Sequence, residues 1–375
     1  MDIRIFLFLL IIVAGLIIKS SGDNKRNRER YINVALIALL LESCLRGLSV
    51  GSDTYKYSEI FSYVGQMSWD EIFQSIINRY LYNVDDTDAG YLLFQKLVHL
   101  FSDDFNFFLL ACAVPFFIPF KKLLLWVDLD LDQLILLFVF YVALFNPIAM
   151  SGTRKLIALG LSIQVFLYYI DKKYIKATIW FVIAFSIHMT VLVILLVPFI
   201  DVLSNRLKKI IHGITFFFVP TMIALSSTII LFMATSVENE HYEQYARNPE
   251  GGGWTFVILI ELIFFMCLVN FKTSYLNNSP KLSHLYSMLP MATLLAPLIT
   301  NNGSMIRLSQ YFHLYTLFFL PMLVDKIVGK ENRNYANAFL IAVLIVMCLH
   351  TGTLGSEYYF FWENSAPVNA IIDTQ

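Results

Sequence analysis

Uninterrupted apolar runs recur along this chain, and they constrain the fold more than any motif does. "DIRIFLFLLIIVAGLII" and "GITFFFVPTMIALSSTIILFMA" reach or approach the ~17–25 residues that a helix needs to cross a bilayer. Similar runs continue almost to the C-terminus. In lipid every backbone polar group must be satisfied internally, which leaves helices or a closed barrel. The runs lack the alternation of a barrel strand. The chain therefore reads as all-α and polytopic. Composition agrees: 58% of the 375 residues are hydrophobic and 15% are charged, against ~25% charged in ordinary soluble domains. The net charge of −1 points to no class of partner, and nothing suggests nucleic acid.

The first run has no basic segment before it and no small-x-small cleavage site after it, so it reads as a retained span. Cys44, Cys112, Cys267 and Cys348 are scattered through or beside apolar runs. They make neither a disulfide framework nor a metal motif. No metal and no cofactor is implied, and no internal repeat is visible. The whole chain, 1–375, reads as a single integral membrane domain.

Expected spans cover 3–18, 31–45, 104–120, 134–150, 155–170, 211–235, 254–271, 283–300, 311–328 and 335–350. The stretch 174–200 is either one long tilted span or a re-entrant hairpin of two half-helices meeting near His188. Basic residues distinguish the two. The linker 19–30 carries Lys19, Lys25, Arg26, Arg28 and Arg30, which places it in the cytoplasm. With the hairpin, 18 of the 27 lysines and arginines are cytoplasmic and 9 are outside. A single crossing leaves 12 inside and 15 outside. The hairpin is the better reading, and it places both termini outside. Half-helices of about 12 residues reach ~18 Å, past the midplane of a ~30 Å core. His188 would then face a cavity open to the outer side.

With this topology polar residues collect on the outer face. Arg46 and Asp53 follow the second span. "SGTRK" puts Arg154 at an outer helix end. "NNGSMIRLSQYF" places Arg307 in a short outer loop. The loop "VENEHYEQYARNPEGGG" offers Tyr245 and Arg247. The long outer loop, 46–103, contains "SWDEIFQSIINRYLYN", which reads as an amphipathic helix on the interface, anchored by Trp69 and Tyr80. Arginines suit a diphosphate, because guanidinium is always charged and its planar fork meets two oxygens. The competing reading of each is an interfacial anchor. His188 stands alone on an apolar stretch, where histidines are commonly structural, yet ionisable groups at membrane depth are functional candidates by default. The glycines of "RGLSVGSDT" allow tight backbone near a ligand, but the sequence is not a P-loop.

These segments, in this order, resemble a known family. "LRGLSVGSDTYKYSEIF", which includes Arg46, Asp53 and Tyr57, resembles the Gly-x-Asp-Thr/Tyr-x-x-Tyr segment of EpsG-type, Wzy-like bacterial exopolysaccharide and O-antigen polymerases. "SGTRKLIALGLSIQVFLYYIDKKY" resembles its Arg-Gln-x-x-Ala helix, with Lys155 in place of Gln. "AFSIHMTVLVILLVPF" resembles its His-Ser-Ala segment, with "HMT" here. "EQYARNPEGGGWTF" and "RLSQYFHLYTLFFLP" resemble its Tyr-containing loop and late Arg segment. The tail has "ENSAPVN" where Pro-Tyr is common.

The resemblance implies a GT-C-like glycosyltransferase of the bacterial cytoplasmic (inner) membrane. Its substrate would be an undecaprenyl-diphosphate-linked oligosaccharide presented at the outer leaflet, with membrane lipid around it and a chain-length regulator as an optional partner. Arg154, with Arg46 and Arg307, would bind the diphosphate, and Tyr57, Tyr245 and Arg247 would line the substrate. Asp53 or His188 would deprotonate the acceptor hydroxyl. Two rivals stay open: an O-antigen ligase or other lipid-linked sugar transferase, and a flippase. A flippase should show internal repeats and charge deep in several spans.

Overall fold

The computed structural model describes residues 3–51, 53–82, 88–237, 251–350 and 358–363. Among them, helix dominates and the one β feature is an isolated bridge. The chain forms two compact units, 1–189 with 337–375, and 190–336.

In the first unit the long helices are α1 (Ile3–Ser20), α2 (Lys25–Cys44), α6 (Phe105–Val127), α7 (Leu131–Phe140), α9 (Thr153–Ile170) and α10 (Tyr174–Ile187). The shorter α3 (Thr54–Gln66), α4 (Trp69–Ile77), α5 (Ala89–Val98) and α8 (Asn146–Ser151) lie between them. Local chemistry sets the boundaries. Asn24 caps α2 through Asn27 N–H, and Asp104 caps α6 through Phe107 N–H. Asp128 ends α6 in the left-handed region, at φ 64. Asp130 and Gln133 then form the capping box that starts α7.

Contacts define two ends of this unit. At one, the turns after α1 and α6 meet: Lys19 lies 2.5 Å from Asp132, and Arg28 binds Asp23 at 2.6 Å and Asp128 at 3.2 Å. Lys121 lies 3.4 Å from Glu29, and Lys172 and Lys173 close the turn after α9. We call this the basic end. Such half-exposed pairs add little stability, but they fix which turns are neighbours. At the opposite end, Asn106 Nδ2 donates to the carbonyls of Cys44 and Arg46, and Asn146 Nδ2 donates to both oxygens of Glu42. Residues 358–363 return to this end. Gly47 N–H donates to Tyr359 O at 2.7 Å, Phe361 N–H to Leu45 O at 3.0 Å, and the Tyr358 hydroxyl to Glu42 O at 2.7 Å.

The loop 46–103 is more structured than its sequence suggests. The expected amphipathic helix is α4, opened by a Ser68/Glu71 capping box and continued by a π turn over Asn78–Tyr82. Helices α3 and α5 flank it. Ile72 of α4 is buried against Val64 and Leu92, and Lys96 donates to the carbonyls of Val64, Gly65 and Met67 at the end of α3. Trp69, Phe73, Tyr80 and Leu81 stay exposed.

In the second unit α11 (Leu196–Asp201) precedes α12 (Asn205–Phe217), α13 (Val219–Ala224) and α14 (Ser226–Val237). Helix α15 (Trp254–Asn270) is followed by α16 (Thr273–Asn277), α17 (Pro280–Tyr286), α18 (Leu289–Leu295) and α19 (Ile306–His313). Helix α20 (Thr316–His350) breaks at Gly329 (φ 74) and continues into the first unit. Ile230, Val257, Ala296, Leu298, Ile299, Met305 and Leu308 form an apolar core. Lys208 and Asp201 pair at 3.1 Å with side chains only 2% and 4% exposed. Ser287 and His284 complete the carboxylate's partners, at 2.7 and 2.8 Å.

Among the described residues four segments are long and apolar enough to cross a membrane: Ile3–Ser20, Phe105–Val127, Pro280–Thr300 and Thr316–Leu349. The other expected spans appear as shorter or less apolar helices, and the interruptions have visible causes. A π turn at Tyr141–Phe145 followed by Pro147 divides 134–150, and Pro220 opens α13 within 211–235. Helix α2 starts six residues earlier than expected, in the basic linker, so its charge and low hydropathy, not its length, set it apart. The stretch 174–200 is broken where expected. Helix α10 ends at Ile187, His188 is extended (φ −158, ψ 110), and Met189–Leu195 is 3-10 helix.

Candidate active site

Four elements of the first unit converge beside the start of α9. Helix α9 begins at Thr153 behind Gly152, so Arg154 is its second residue. A cation there opposes the helix dipole, so its position calls for a specific partner. That partner is Asp88: Arg154 Nη1 donates to Asp88 Oδ2 at 2.9 Å. The guanidinium also faces two rings, with Tyr57 of α3 at 5.8 Å and Tyr91 of α5 at 5.7 Å. Such contacts fix its plane. Tyr91 is held from below by Thr153, hydroxyl to hydroxyl at 2.7 Å. Burial pushes the Tyr91 hydroxyl well above its ordinary value. It is therefore a neutral hydrogen-bonding group and not a base.

His188 completes the cluster from the end of α10. Its Nδ1 lies 3.4 Å from the same Asp88 Oδ2 that Arg154 uses. Asp88 occupies the N-cap position of α5, yet its side chain makes no capping bond. A capping Asp is worth ~0.5–2 kcal/mol, so the carboxylate gives that up to reach Arg154 and His188. The approach is possible because residue 90 is glycine. A Cβ there would sit 2.2 Å from Ser186 Oγ and 2.7 Å from the Ser186 carbonyl carbon. Helix α5 thus crosses the last turn of α10 backbone to backbone, which brings Asp88 to His188. Exposure sorts the three groups. The Asp88 and His188 side chains are each 12% exposed, and Arg154 is 34% exposed. The cation opens outward over a sheltered acid and imidazole.

The remaining expected residues are placed as follows. Asp53 opens α3, with its carbonyl accepting Tyr57 N–H at 3.0 Å. Arg46 is only 2% exposed, and its Nη1 donates to Ser43 O at 2.7 Å and to Ser43 Oγ at 3.1 Å. Its backbone pairs with Phe360. It ties down the exit of α2. Arg307 is the second residue of α19, in the other unit. Tyr245 and Arg247 lie outside the described residues. Sequence reasoning missed Asp88, because "DDTDAGY" reads as an acidic loop leading to a capped helix. The one available signal was an Asp-x-Gly at a helix start within the same long loop as Asp53.

The described residues hold no group of three His, Cys, Asp or Glu with metal-ligand geometry. The arrangement suits anion binding at a helix N-terminus with an added fixed cation, beside an imidazole backed by a carboxylate.

Neither a curated protein nor a solved structure matches the chain. A family model does match, over residues 29–363, a stretch that includes Arg46, Tyr57, Asp88, Arg154, His188 and Arg307 alike. With nearly all of the sequence and the whole Arg154 cluster inside that match, the chain belongs to the EpsG family.

Proposed function

We propose that this protein is a polysaccharide polymerase, a membrane glycosyltransferase of GT-C-like type joining undecaprenyl-diphosphate-linked oligosaccharide repeat units. Family membership supports a polymerase-type function. The observation that carries the reading is Arg154, at a helix N-terminus, flanked by two tyrosines and linked through Asp88 to His188. That end of the first unit lies opposite the basic end. By the positive-inside rule the basic end faces the cytoplasm, so the Arg154 cluster faces outward, toward lipid-linked sugars in the outer leaflet of the inner membrane.

The chemistry follows from the groups present. The bond between the donor's anomeric carbon and the diphosphate oxygen breaks, and its electron pair stays on the diphosphate. Arg154 and the first N–H groups of α9 stabilise that developing charge. The acceptor hydroxyl attacks the anomeric carbon and gives its proton to His188. With Nδ1–H donated to Asp88, the ring's lone pair sits on Nε2. Asp53 is the alternative base. Arg307, Tyr245 and Arg247 are kept as substrate contacts, and a chain-length regulator as a partner, on the resemblance alone. Arg46 is reassigned from the diphosphate to the frame, because it is buried against Ser43.

The test is ladder formation at matched protein level. Lysine keeps the charge of Arg154 but loses the planar fork. Arg154→Lys and Arg154→Ala should both leave mainly single repeat units, since losing one preorganised donor costs on the order of 10²–10³ in rate. A normal ladder from Arg154→Lys means an interfacial anchor, and one from Arg154→Ala removes the residue from the site. In a deletion strain, single capped repeats identify a polymerase. Absence of surface glycan identifies a flippase, and full-length polymer left unattached to its acceptor identifies a ligase.

A further inference from the structure

We propose that Asp88 is a positioning residue that couples the donor side of the site to its acceptor side by dividing one carboxylate oxygen between Arg154 and His188. This inference rests on the transferase reading above.

The geometry behind it is specific. Oδ2 of Asp88 meets Arg154 Nη1 at 2.9 Å and His188 Nδ1 at 3.4 Å. The guanidinium contact is a full charge-assisted hydrogen bond, and the imidazole contact is at the limit of one. The three residues come from three elements, 66 and 100 positions apart in sequence. The carboxylate forgoes its own helix cap to serve both. Among the described residues, the ionisable groups facing the pair include Arg154 from α9, Tyr57 from α3, Tyr91 on α5 itself, and Tyr80 beyond α4, which lies within electrostatic range of both Asp88 and Arg79. Arg154 is the cation in direct contact with the carboxylate.

Competition follows from this sharing. A diphosphate oxygen on Arg154 draws on the same N–H groups that hold Asp88. To the extent that it takes them, the carboxylate's charge is left to His188. A carboxylate beside an imidazole stabilises the imidazolium, so the ring becomes a stronger proton acceptor when a donor diphosphate is engaged. Acceptor activation is thereby favoured when a leaving group is in place, and idle deprotonation is disfavoured otherwise. The same hydrogen bond sets the tautomer, with the proton on Nδ1 and the lone pair on Nε2.

The experiment uses full-length protein in nanodiscs with lipid-diphosphate-linked repeat units. It compares wild type with Asp88→Asn, and measures kcat, KM for the lipid-linked unit and the pH profile. It also measures binding of undecaprenyl diphosphate without glycan. Asparagine keeps the shape but not the charge. In Asp88→Asn, kcat should fall by on the order of 10² or more, the scale of a general base's contribution. KM and binding of undecaprenyl diphosphate should be unchanged or tighter, since a competitor for Arg154 is gone. The acid limb of the rate profile should move to lower pH, because an imidazole without its carboxylate protonates less readily. Weaker lipid diphosphate binding with kcat retained would overturn the proposal, leaving Asp88 as a mere support for Arg154. A fallen kcat with an unmoved acid limb would overturn it too. If Asp88→Asn does not accumulate, Asp88→Glu replaces it. That variant should keep the acid limb at its wild-type position with a lower kcat, and a moved limb counts against the coupling. Absence of any product from wild type would sink the transferase reading itself. Wild-type product with indifferent Asp88 variants sinks this inference alone.

Discussion

Replacing Gly90 with alanine tests the site through its scaffold, without touching a reacting group. The added Cβ would lie 2.7 Å from the Ser186 carbonyl carbon, which cannot rotate away, and ordinary contact begins at 3.4 Å. The start of α5 must therefore retreat from α10 by about 0.7 Å, the difference between those two distances. Asp88 is two residues before Gly90 and His188 is two residues after Ser186, so the displacement acts directly on their 3.4 Å contact. It becomes ~4 Å, beyond hydrogen-bond range. Arg154 can follow Asp88 only by leaving the Tyr57 and Tyr91 rings. Loss of a hydrogen bond to a charged group is worth ~1.5–3 kcal/mol. At ~1.4 kcal/mol per decade that is roughly a 10- to 150-fold fall in rate. The assay is polymer formation by purified Gly90→Ala protein, with a thermal unfolding curve to establish that it is folded. Ser186→Ala, with Gly90 intact, should stay near wild type. A folded Gly90→Ala protein with a rate within about twofold of wild type would refute the reasoning, because the Asp88–His188 contact would then not depend on how closely α5 and α10 approach.

Three further outcomes are expected. A reporter inserted after Asn205 should read cytoplasmic and one after Gly252 external, and an external signal at Asn205 removes the hairpin reading of 174–200. Gly160→Val should abolish accumulation of folded protein, since even a Cβ at that position of α9 would lie 2.1 Å from Pro115 O on α6; normal yield in membranes would refute this. Lys208→Met leaves Asp201 buried without its cation and should cost ~3–5 kcal/mol, read as a lowered unfolding midpoint. Adding Asp201→Leu should recover part of the loss, and an unchanged midpoint in the single variant would contradict the buried pairing.

What the sequence disclosed and what it hid have separate physical origins. Apolar runs report on the solvent around a helix, so the long helices and their order were legible. A histidine interrupting such a run marked the end of α10 at Ile187. Arg154 stood out because an arginine two residues past a glycine, at a helix start, has no local use. Local signals fail where a helix is interrupted by hydrogen-bonding pattern. The π turn at Tyr141–Phe145 has no breaker inside it and looks like uninterrupted span. In the loop 46–103 the sequence disclosed one amphipathic helix and hid two, because α3 and α5 bury their faces against neighbours distant in sequence, such as Phe61 on Phe108 at 4.4 Å. Asp88 was hidden for the same reason. Its sequence context is that of a capping residue, and only the crossing at Gly90 redirects it. Assigning the acceptor side to Asp53 or His188 therefore lacked the acid that the structure puts between Arg154 and His188.

The docking of residues 358–363 onto Leu45–Gly47 has a consequence for how the protein is made. Tyr358 and Glu42 are 316 residues apart in sequence. At roughly 5–20 residues per second, the exit of α2 waits on the order of 15 to 60 s for the strand-like partner that completes it. During that interval every apolar helix before it can already have entered the membrane, while the N–H of Gly47 and the carbonyl of Leu45 have no chain partner. Closure of this end therefore waits for residues 358–363 to be made. A nascent chain, or one released early by a premature stop, would have its bundle but not the closure over α2. Quality control in the membrane could recognise an unfinished copy by that open exit alone.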